Sequence, residues 1–337
     1  MRIQKNYDLT KLNTFGISAC AKFFVELDKE AELPELFAAP EFKNNERLFL
    51  GGGSNVLFTK DFDGIVVLNK LKGIEILEEN SDSVKIRSMS GEVWHDLVKF
   101  IVDREYWGVE NLSFVPGTVG AAPMQNIGAY GVELEEVLES IEAVDADTGE
   151  KKIFNPEECK LAYRESIFKS DWKGRYFITA VTLRLSKIPS PRVTYRHLKE
   201  YIEQNKVEVK SSKDISEAVT NIRKSKLPDP AVIANAGSFF KNVFLDEKKM
   251  KEILEKYPDL PYFEEGGTKK IPAGWLIEKA GWKGKRMGNV GVHEKHALVL
   301  VNHGGGTGEE IKNLADEIIA SVYEKFGIKL APEVNLI

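Results

Sequence analysis

A chain of 337 residues with a formal net charge of −5 at pH 7 has no basic excess with which to attract nucleic acid or an anionic membrane surface. Its 42% hydrophobic and 29% charged residues are those of an ordinary globular protein, long enough for two or three interlocked lobes. Cys20 and Cys159 lie far apart without C-x-x-C spacing, which argues against a disulfide framework or a zinc site and suits a reducing compartment. Residues 1–6 contain no apolar leader core, and no apolar run approaches the ~18 residues that span a bilayer, so a cytoplasmic location is expected.

The first 70 residues read as a small α/β unit. A strand-like run over 21–27 precedes a helical stretch with Leu33, Leu36 and Phe37 on one face. A strand over 47–50 runs straight into Gly51-Gly52-Gly53-Ser54-Asn55, and 65–68 reads as another strand. From about 74 to 187 the pattern is strand-rich, clearest over 84–89, 141–144 and 177–185, with one amphipathic helix carrying Val93, Leu97, Val98 and Ile101. Asp145-Ala146-Asp147-Thr148-Gly149-Glu150 sets carboxylates between two strands, but Asp and Gly are turn formers, so a solvated hairpin turn is the reading. The last third mixes helix and strand. A short helix is expected within 272–281, with Pro at its start and Gly past its end. Thr307-Gly308-Glu309-Glu310 is a capping box that opens a long helix with the stripe Ile311, Leu314, Ile318, Ile319, Val322 and Phe326, closed by Gly327. A final strand over 328–330 is expected to return to the N-terminal unit and make it discontinuous.

Two loops carry the ligand argument. Gly51–Asn55 follows a strand, as a phosphate-cradling turn does, although it is neither G-x-G-x-x-G nor Walker A. The second runs from Pro116-Gly117-Thr118-Val119-Gly120-Ala121-Ala122-Pro123 through Gln125-Asn126-Ile127-Gly128-Ala129-Tyr130-Gly131, where small residues let backbone approach a ligand closely. Gln125 and Asn126 add amides suited to a heterocycle's edge. Two such loops on one scaffold suggest a dinucleotide; a buried crossover packed on small residues is the bland alternative. Tyr163-Arg164-Glu165-Ser166, Asn235-Ala236-Gly237-Ser238-Phe239-Phe240-Lys241-Asn242 and Pro332-Glu333-Val334 each set an ionisable or hydroxyl group beside small or aromatic residues. Singly, each would read as surface or capping chemistry. His293, His296 and His303 flank a strand-like 297–301 without a nearby cysteine, so no metal is expected.

Taken together these blocks resemble the UDP-N-acetylenolpyruvoylglucosamine reductases. The strings are Asn13-Thr14-Phe15-Gly16, 51–57, 116–133, 163–169, 226–230 with 235–242, 273–277 and 332–334, in order over nearly the whole chain. The resemblance implies an α+β chain with an FAD-binding fold of the vanillyl-alcohol oxidase type. Its two subdomains would be 1–70, completed by 328–337, and 71–212, with a C-terminal α/β substrate lobe over 213–327. Non-covalent FAD is expected on Gly51, Gly52, Gly53, Ser54, Asn55 and Leu57, and on Pro116, Gly117, Gly120, Ala121, Gln125, Asn126, Gly128, Ala129 and Tyr130. NADPH would be the co-substrate, and the reaction would reduce UDP-N-acetylglucosamine enolpyruvate to UDP-N-acetylmuramate for peptidoglycan. Arg164 matches the family's stabiliser of the enolate-like charge, Glu333 its acidic companion and Ser238 the proton donor, with Lys241 a candidate to tune the serine. Tyr195, within 190–205, looks like the closing tyrosine of the family's first type. Arg223, Lys226, Asn242 and His296 carry over to substrate binding, the basic pair suiting a diphosphate. His296 and Asn335 depart from the family's pattern, where a glutamine and an arginine are expected. A monomer is expected, without nucleic acid or membrane partners.

Two other readings remain at this level. A flavin oxidase on the same fold would usually lack the Ser238 block and often attach its flavin through His or Cys. A non-catalytic nucleotide-binding module is the third.

Overall fold

The strand Cys20–Leu27 buries Ala21, Phe24, Val25 and Leu27, and its parallel neighbour Phe62–Asn69 is an almost continuous buried run, as expected of a strand covered on both faces. Glu46–Leu50 adds in parallel to the other side of Phe62–Asn69, giving a four-stranded sheet with Gln4–Asp8 at its far edge. Leu33, Leu36, Phe37 and Phe42, from the short helices Leu33–Ala38 and Pro40–Lys43, pack with Val25, Leu27, Ile65 and Val67. In the computed structural model of the chain, residues 1–265 and 267–337 are described.

A second, antiparallel sheet follows, in the order Lys151–Phe154, Leu138–Asp145, Tyr176–Ser186, Ser83–Met89 and Ile74–Glu79. The helix Trp94–Val102 packs on it through Trp94, Leu97, Val98 and Ile101. Val93 is not on that face. It is the extended N-cap residue, 42% exposed, and Trp94 takes the expected place, its indole N–H donating to the Leu112 carbonyl at 3.0 Å. The expected hairpin turn forms: Asp145 Oδ1 accepts the N–H groups of Asp147 and Thr148, and its other oxygen takes Arg175 Nε at 2.9 Å.

The C-terminal third holds an antiparallel sheet ordered Ala234–Ser238, Val299–Asn302, Val290–Val292 and Arg286–Met287. A three-stranded sheet, Val243–Leu245, Thr268–Ile271 and Phe263–Glu265, lies in the same part of the chain. The short helix is Ala273–Lys279 and the long one Gly308–Phe326, with both halves of its capping box made and Gly327 at φ +64° closing it. Of the expected stripe, Ile311, Leu314, Ile318, Val322 and Phe326 are buried; Ile319 is only half-buried and Ala315 completes the face.

The strand expected over 328–330 does not form. Ile328 and Leu330 are buried without a ladder, and the segment that pairs is Asn335–Leu336, parallel to Val56–Leu57. The chain separates into two compact units: Met1–Tyr7, Ala21–Gly53 and Phe62–Ser225 form the first, and Asp8–Cys20, Ser54–Asp61 and Lys226–Ile337 the second. This grouping cuts the chain differently from the three expected lobes. Residues 8–20 and 54–61 join the C-terminal third, and nearly all of the helix Ser212–Lys226 stays with the first unit.

Candidate active site

In the first unit the two glycine loops face each other. A Cβ on Gly51 would fall 2.4 Å from Thr118 Oγ1, and one on Gly52 would fall 3.2 Å from the Gly117 Cα. The second loop is fixed by backbone bonds to the segment before the helix: Trp94 N–H to the Gly117 carbonyl (3.0 Å), Val119 N–H to Glu92 (2.9 Å) and Gly120 N–H to Ser90 (2.8 Å). The N–H groups of Gly52, Gly53 and Gly117 donate to no backbone carbonyl among the described residues. Bare backbone carrying uncommitted N–H groups is a cradle for a pyrophosphate, so these loops fit FAD. Gly117 and Ala121 lie against Gly52 and Gly51, Gly120 packs on Ser90, and Val119–Ala121 and Pro123–Gln125 are single turns of 3-10 helix.

Asn126 differs from what its sequence context suggests. It is fully buried at φ +41°, its Nδ2 donates to Glu133 Oε2 at 2.9 Å and its Oδ1 accepts the Glu135 N–H at 3.0 Å. That amide is spent inside the protein, which leaves only its backbone to meet a heterocycle. Gly128–Ala129 pairs with Val132–Glu133 as a small hairpin. Tyr130, at φ +49°, presents its ring edge-on to Tyr195, centroids 5.4 Å apart.

Arg164 stands at the third position of a tight turn, at φ +57°, a place usually given to Gly or Asn. Ala162 and Glu165 close that turn by exchanging backbone hydrogen bonds of 3.1 and 3.0 Å, and Arg164 Nη2 donates to the Gly128 carbonyl at 2.8 Å. Backbone strain held at a charged residue is a mark of a functional position. Arg223, on the helix Ser212–Lys226, donates from Nε to the Phe114 carbonyl at 3.1 Å. Burial holds its guanidinium below the ordinary arginine value; the Tyr130 phenol works against that shift and the charge of Arg164 adds to it. No carboxylate pairs with Arg223 among the described residues. Burial also raises the phenols of Tyr130 and Tyr195. The first unit thus gathers Arg164, Arg223, Tyr130 and Tyr195 as a cationic, aromatic-walled cluster. An anion is the complement of such a cluster.

In the second unit the strand Ala234–Ser238 is bulged against Val299–Asn302 between Asn235 and Ser238. Asn235 makes the bulge: its Oδ1 accepts the Gly237 N–H at 2.9 Å while its Nδ2 donates to the Pro228 and Ile233 carbonyls. Gly237, at φ +68°, supplies the backbone conformation, and the bulge re-aims Ser238. Glu333 is brought alongside by its N–H bond to the Phe239 carbonyl (2.7 Å), and Lys241 N–H donates to the Ala331 carbonyl (2.9 Å). The Asn13–Gly16 string belongs to this scaffold too. Asn13 pins its own loop through Leu9 and Ile17, Thr14 accepts the Asn235 N–H, and the buried Phe15 ring meets Phe239 edge-on.

Ser54 and Asn55 lie in this unit, where Asn55 Nδ2 reaches the Glu333 carbonyl at 3.4 Å. Leu57, expected at the flavin, is buried within the protein in its pairing with Leu336. Asn335 spends its side chain on the Asn55 carbonyl at 2.9 Å, so it braces a loop where an arginine was expected. Asn242 Oδ1 accepts the Ala273 N–H at 3.1 Å, capping a helix. Lys226 ends the helix Ser212–Lys226, and His296 lies half-buried in the turn before Val299–Asn302. Of the cysteines, Cys20 is exposed, whereas burial pushes the Cys159 thiol up to about 12 and makes it unreactive. Two supporting residues carried no local signal in the sequence. Asn111 is fully buried and ties the carbonyls of Tyr130 and Arg192 together, each at 2.9 Å, and Glu133 receives Asn126.

Comparison with known proteins agrees over the full length. A family profile described as "FAD binding domain" matches residues 21–152, and one described as "UDP-N-acetylenolpyruvoylglucosamine reductase, C-terminal domain" matches 229–337. A reductase of that name from Amoebophilus asiaticus is 48% identical over 338 residues, covering 100% of both chains. Another from Flavobacterium johnsoniae is 45% identical over 339 residues, again covering 100% of both. The crystal structure of the Thermus caldophilus enzyme of the same name superposes with a TM-score of 0.69 at 21% identity, covering 100% of this chain and 99% of that one, which speaks to the fold. The fold is therefore an α+β FAD-binding fold followed by the reductase C-terminal domain, and the chain belongs to the UDP-N-acetylenolpyruvoylglucosamine reductase family.

Proposed function

We propose that this chain uses non-covalent FAD and NADPH to reduce UDP-N-acetylglucosamine enolpyruvate to UDP-N-acetylmuramate, the reductive step in making the peptidoglycan precursor. The observation that carries the reading is Ser238, set by a purpose-built bulge beside the segment that bears Glu333. A flavin oxidase of the same fold has no use for a positioned hydroxyl of this kind.

FAD, when bound, relays two electrons between NADPH and the enolpyruvyl double bond. Its pyrophosphate would rest on the backbone of 51–53 and 116–121. Arg164 would grip the substrate carboxylate through its planar fork and hold the negative charge that builds there during reduction. Glu333 would orient the same group, and Ser238 Oγ would hold the proton delivered to the neighbouring carbon. Arg223 and Lys226, three residues apart on one helix, would take the diphosphate, and Tyr195 would close over the sugar nucleotide as the closing tyrosine of the family's first type. Asn242 and His296 complete the substrate contacts in this reading. The chain would act as a cytoplasmic monomer. Residues 1–70 and 71–212 would be the two halves of the FAD domain and 213–327 the substrate lobe; the separate parallel and antiparallel sheets on either side of residue 70 support the first of these boundaries.

Anaerobic absorbance tests the proposal. NADPH should bleach the yellow protein, and the enolpyruvyl sugar should restore the colour. A yellow protein that NADPH leaves coloured and that a hydroxy acid or alcohol bleaches would point to an oxidase, and a colourless protein that merely binds nucleotide would reject the enzyme reading.

A further inference from the structure

We infer that Asn126 is a positioning residue for Arg164, acting with Glu133, rather than a reader of the flavin; the inference rests on Arg164 acting at the substrate carboxylate. The turn that carries Arg164 is strained at φ +57°, and Asn126 is itself held at φ +41°. Such conformations persist only where neighbours over-determine them. Asn126 provides that constraint from a fully buried site. Its Nδ2 lies 2.9 Å from Glu133 Oε2 and 3.4 Å from the carbonyl of Ala162, the first residue of the Arg164 turn, while the Glu135 N–H fixes its Oδ1. Glu133 is fixed in turn, accepting the Glu136 N–H in a capping box.

Gly128 shows how the clamp reaches the guanidinium. A Cβ there would lie 3.1 Å from Arg164 Nη1 and 3.3 Å from Glu133 Oε1, so both groups crowd the same bare patch of backbone. The Gly128 carbonyl then receives Arg164 Nη2 at 2.8 Å, and Ser166 Oγ ties the far side of the turn to the Met124 carbonyl at 2.8 Å. One amide therefore joins the carboxylate beside the guanidinium to the turn beneath it. A misplacement of about 1 Å at a reacting centre costs roughly 10²-fold, so losing this joint should be felt at the arginine's task and not elsewhere.

Asn126→Asp keeps an acceptor for the Glu135 N–H and tolerates positive φ, but sets two carboxylates against each other. Adding Glu133→Gln exchanges the donor and acceptor ends of the bond and leaves an oxygen for the Glu136 N–H. The readouts are FAD content, melting temperature, and the single-turnover rates of bleaching by NADPH and of colour recovery with UDP-N-acetylglucosamine enolpyruvate. Asn126→Asp should retain FAD and bleach within about two-fold of the parent, yet recover colour roughly 10–100-fold more slowly. The double variant should regain most of that loss. Arg164→Lys should slow the same recovery step at least as much. Colour recovery at the parent rate in Asn126→Asp, with Arg164→Lys slow, overturns the inference. Loss of FAD, or equal slowing of both steps, assigns Asn126 to the cofactor instead. Normal recovery in Arg164→Lys removes the role of Arg164 and the inference with it. Should Asn126→Asp fail to fold, Glu133→Gln alone carries the test, because its single amide oxygen cannot serve both Asn126 and the Glu136 N–H as the carboxylate does.

Discussion

Arg164 and Ser238 are held by different means. Ser238 sits on a strand, and what aims it is register: a bulge built by Asn235 and Gly237 against Val299–Asn302. Arg164 sits on a turn, and what aims it is a set of buried side chains around a strained backbone. A sheet ladder fixes position through many backbone bonds, each replaceable by its neighbours. A side-chain clamp concentrates the same task in a few polar groups that must first be taken out of water. The serine's seat should therefore tolerate most side-chain changes, that of Asn235 excepted, and otherwise fail at the backbone. The arginine's seat should fail at single amides and carboxylates, and its polar groups should cost stability.

The largest expected effect tests the serine itself. Ser238→Ala leaves the bulge intact, since Asn235 and Gly237 make it. Colour recovery with the enolpyruvyl sugar should slow by ~10²–10⁴-fold, the usual cost of a missing general acid, while bleaching by NADPH stays near the parent rate. Ser238→Cys, which keeps a transferable proton, should recover part of the loss. Equal slowing of both steps in stopped-flow traces would instead make Ser238 a flavin contact or a structural cap.

A smaller effect isolates the backbone. Nothing lies within 4 Å of a Cβ placed on Gly237, so Gly237→Ala meets no steric obstacle and is penalised only by its φ of +68°. That strain amounts to about 1–2 kcal/mol. The variant should melt a few degrees lower and recover colour more slowly, with bleaching unaffected. An unchanged recovery rate at reduced stability would mean that the bulge does not aim Ser238.

Much of this was legible in the sequence because it is local. The capping box at Thr307 and the stripe from Ile311 to Phe326 are read from spacing alone, and Cys20–Leu27 and Tyr176–Ser186 announce themselves as apolar runs. Where local rules compete, the reading failed. Val93 fits the helix period but precedes the first helical residue, so its extended backbone turns it to solvent. Residues 328–330 look like a strand because Ile328 and Leu330 are buried, yet burial without a partner makes no ladder. The segment that does pair, Asn335–Leu336, is too short to show alternation. Asn126 and Asn335 mark the deeper limit. An amide in a glycine-rich or terminal segment has the same composition whether it meets a ligand or its own chain, and here both side chains bond their own chain.

The smallest effect tests the claim that the first unit's polar supports cost stability. Glu110, two residues from Leu112 and adjoining Asn111, is 2% exposed and accepts the Gly108 N–H at 2.6 Å. Burial raises its carboxyl above the ordinary 4.5, with the Gly108 N–H and more distant Arg192 opposing that shift only in part. A carboxyl raised in this way binds its proton more tightly in the folded chain than in the unfolded one. It favours folding fully below the unfolded value and loses that contribution as pH rises through the folded value. Glu110→Gln keeps an oxygen for the Gly108 N–H and removes the ionisation. It should match the parent's melting temperature near pH 4 and exceed it near pH 8 by about 2–4 °C, the shift that ~1 kcal/mol produces in a domain of this size. If the variant instead melts lower than the parent at pH 8, the carboxylate is ionised and held by its amide donors. The polar supports of the arginine's unit would then stabilise the fold rather than tax it.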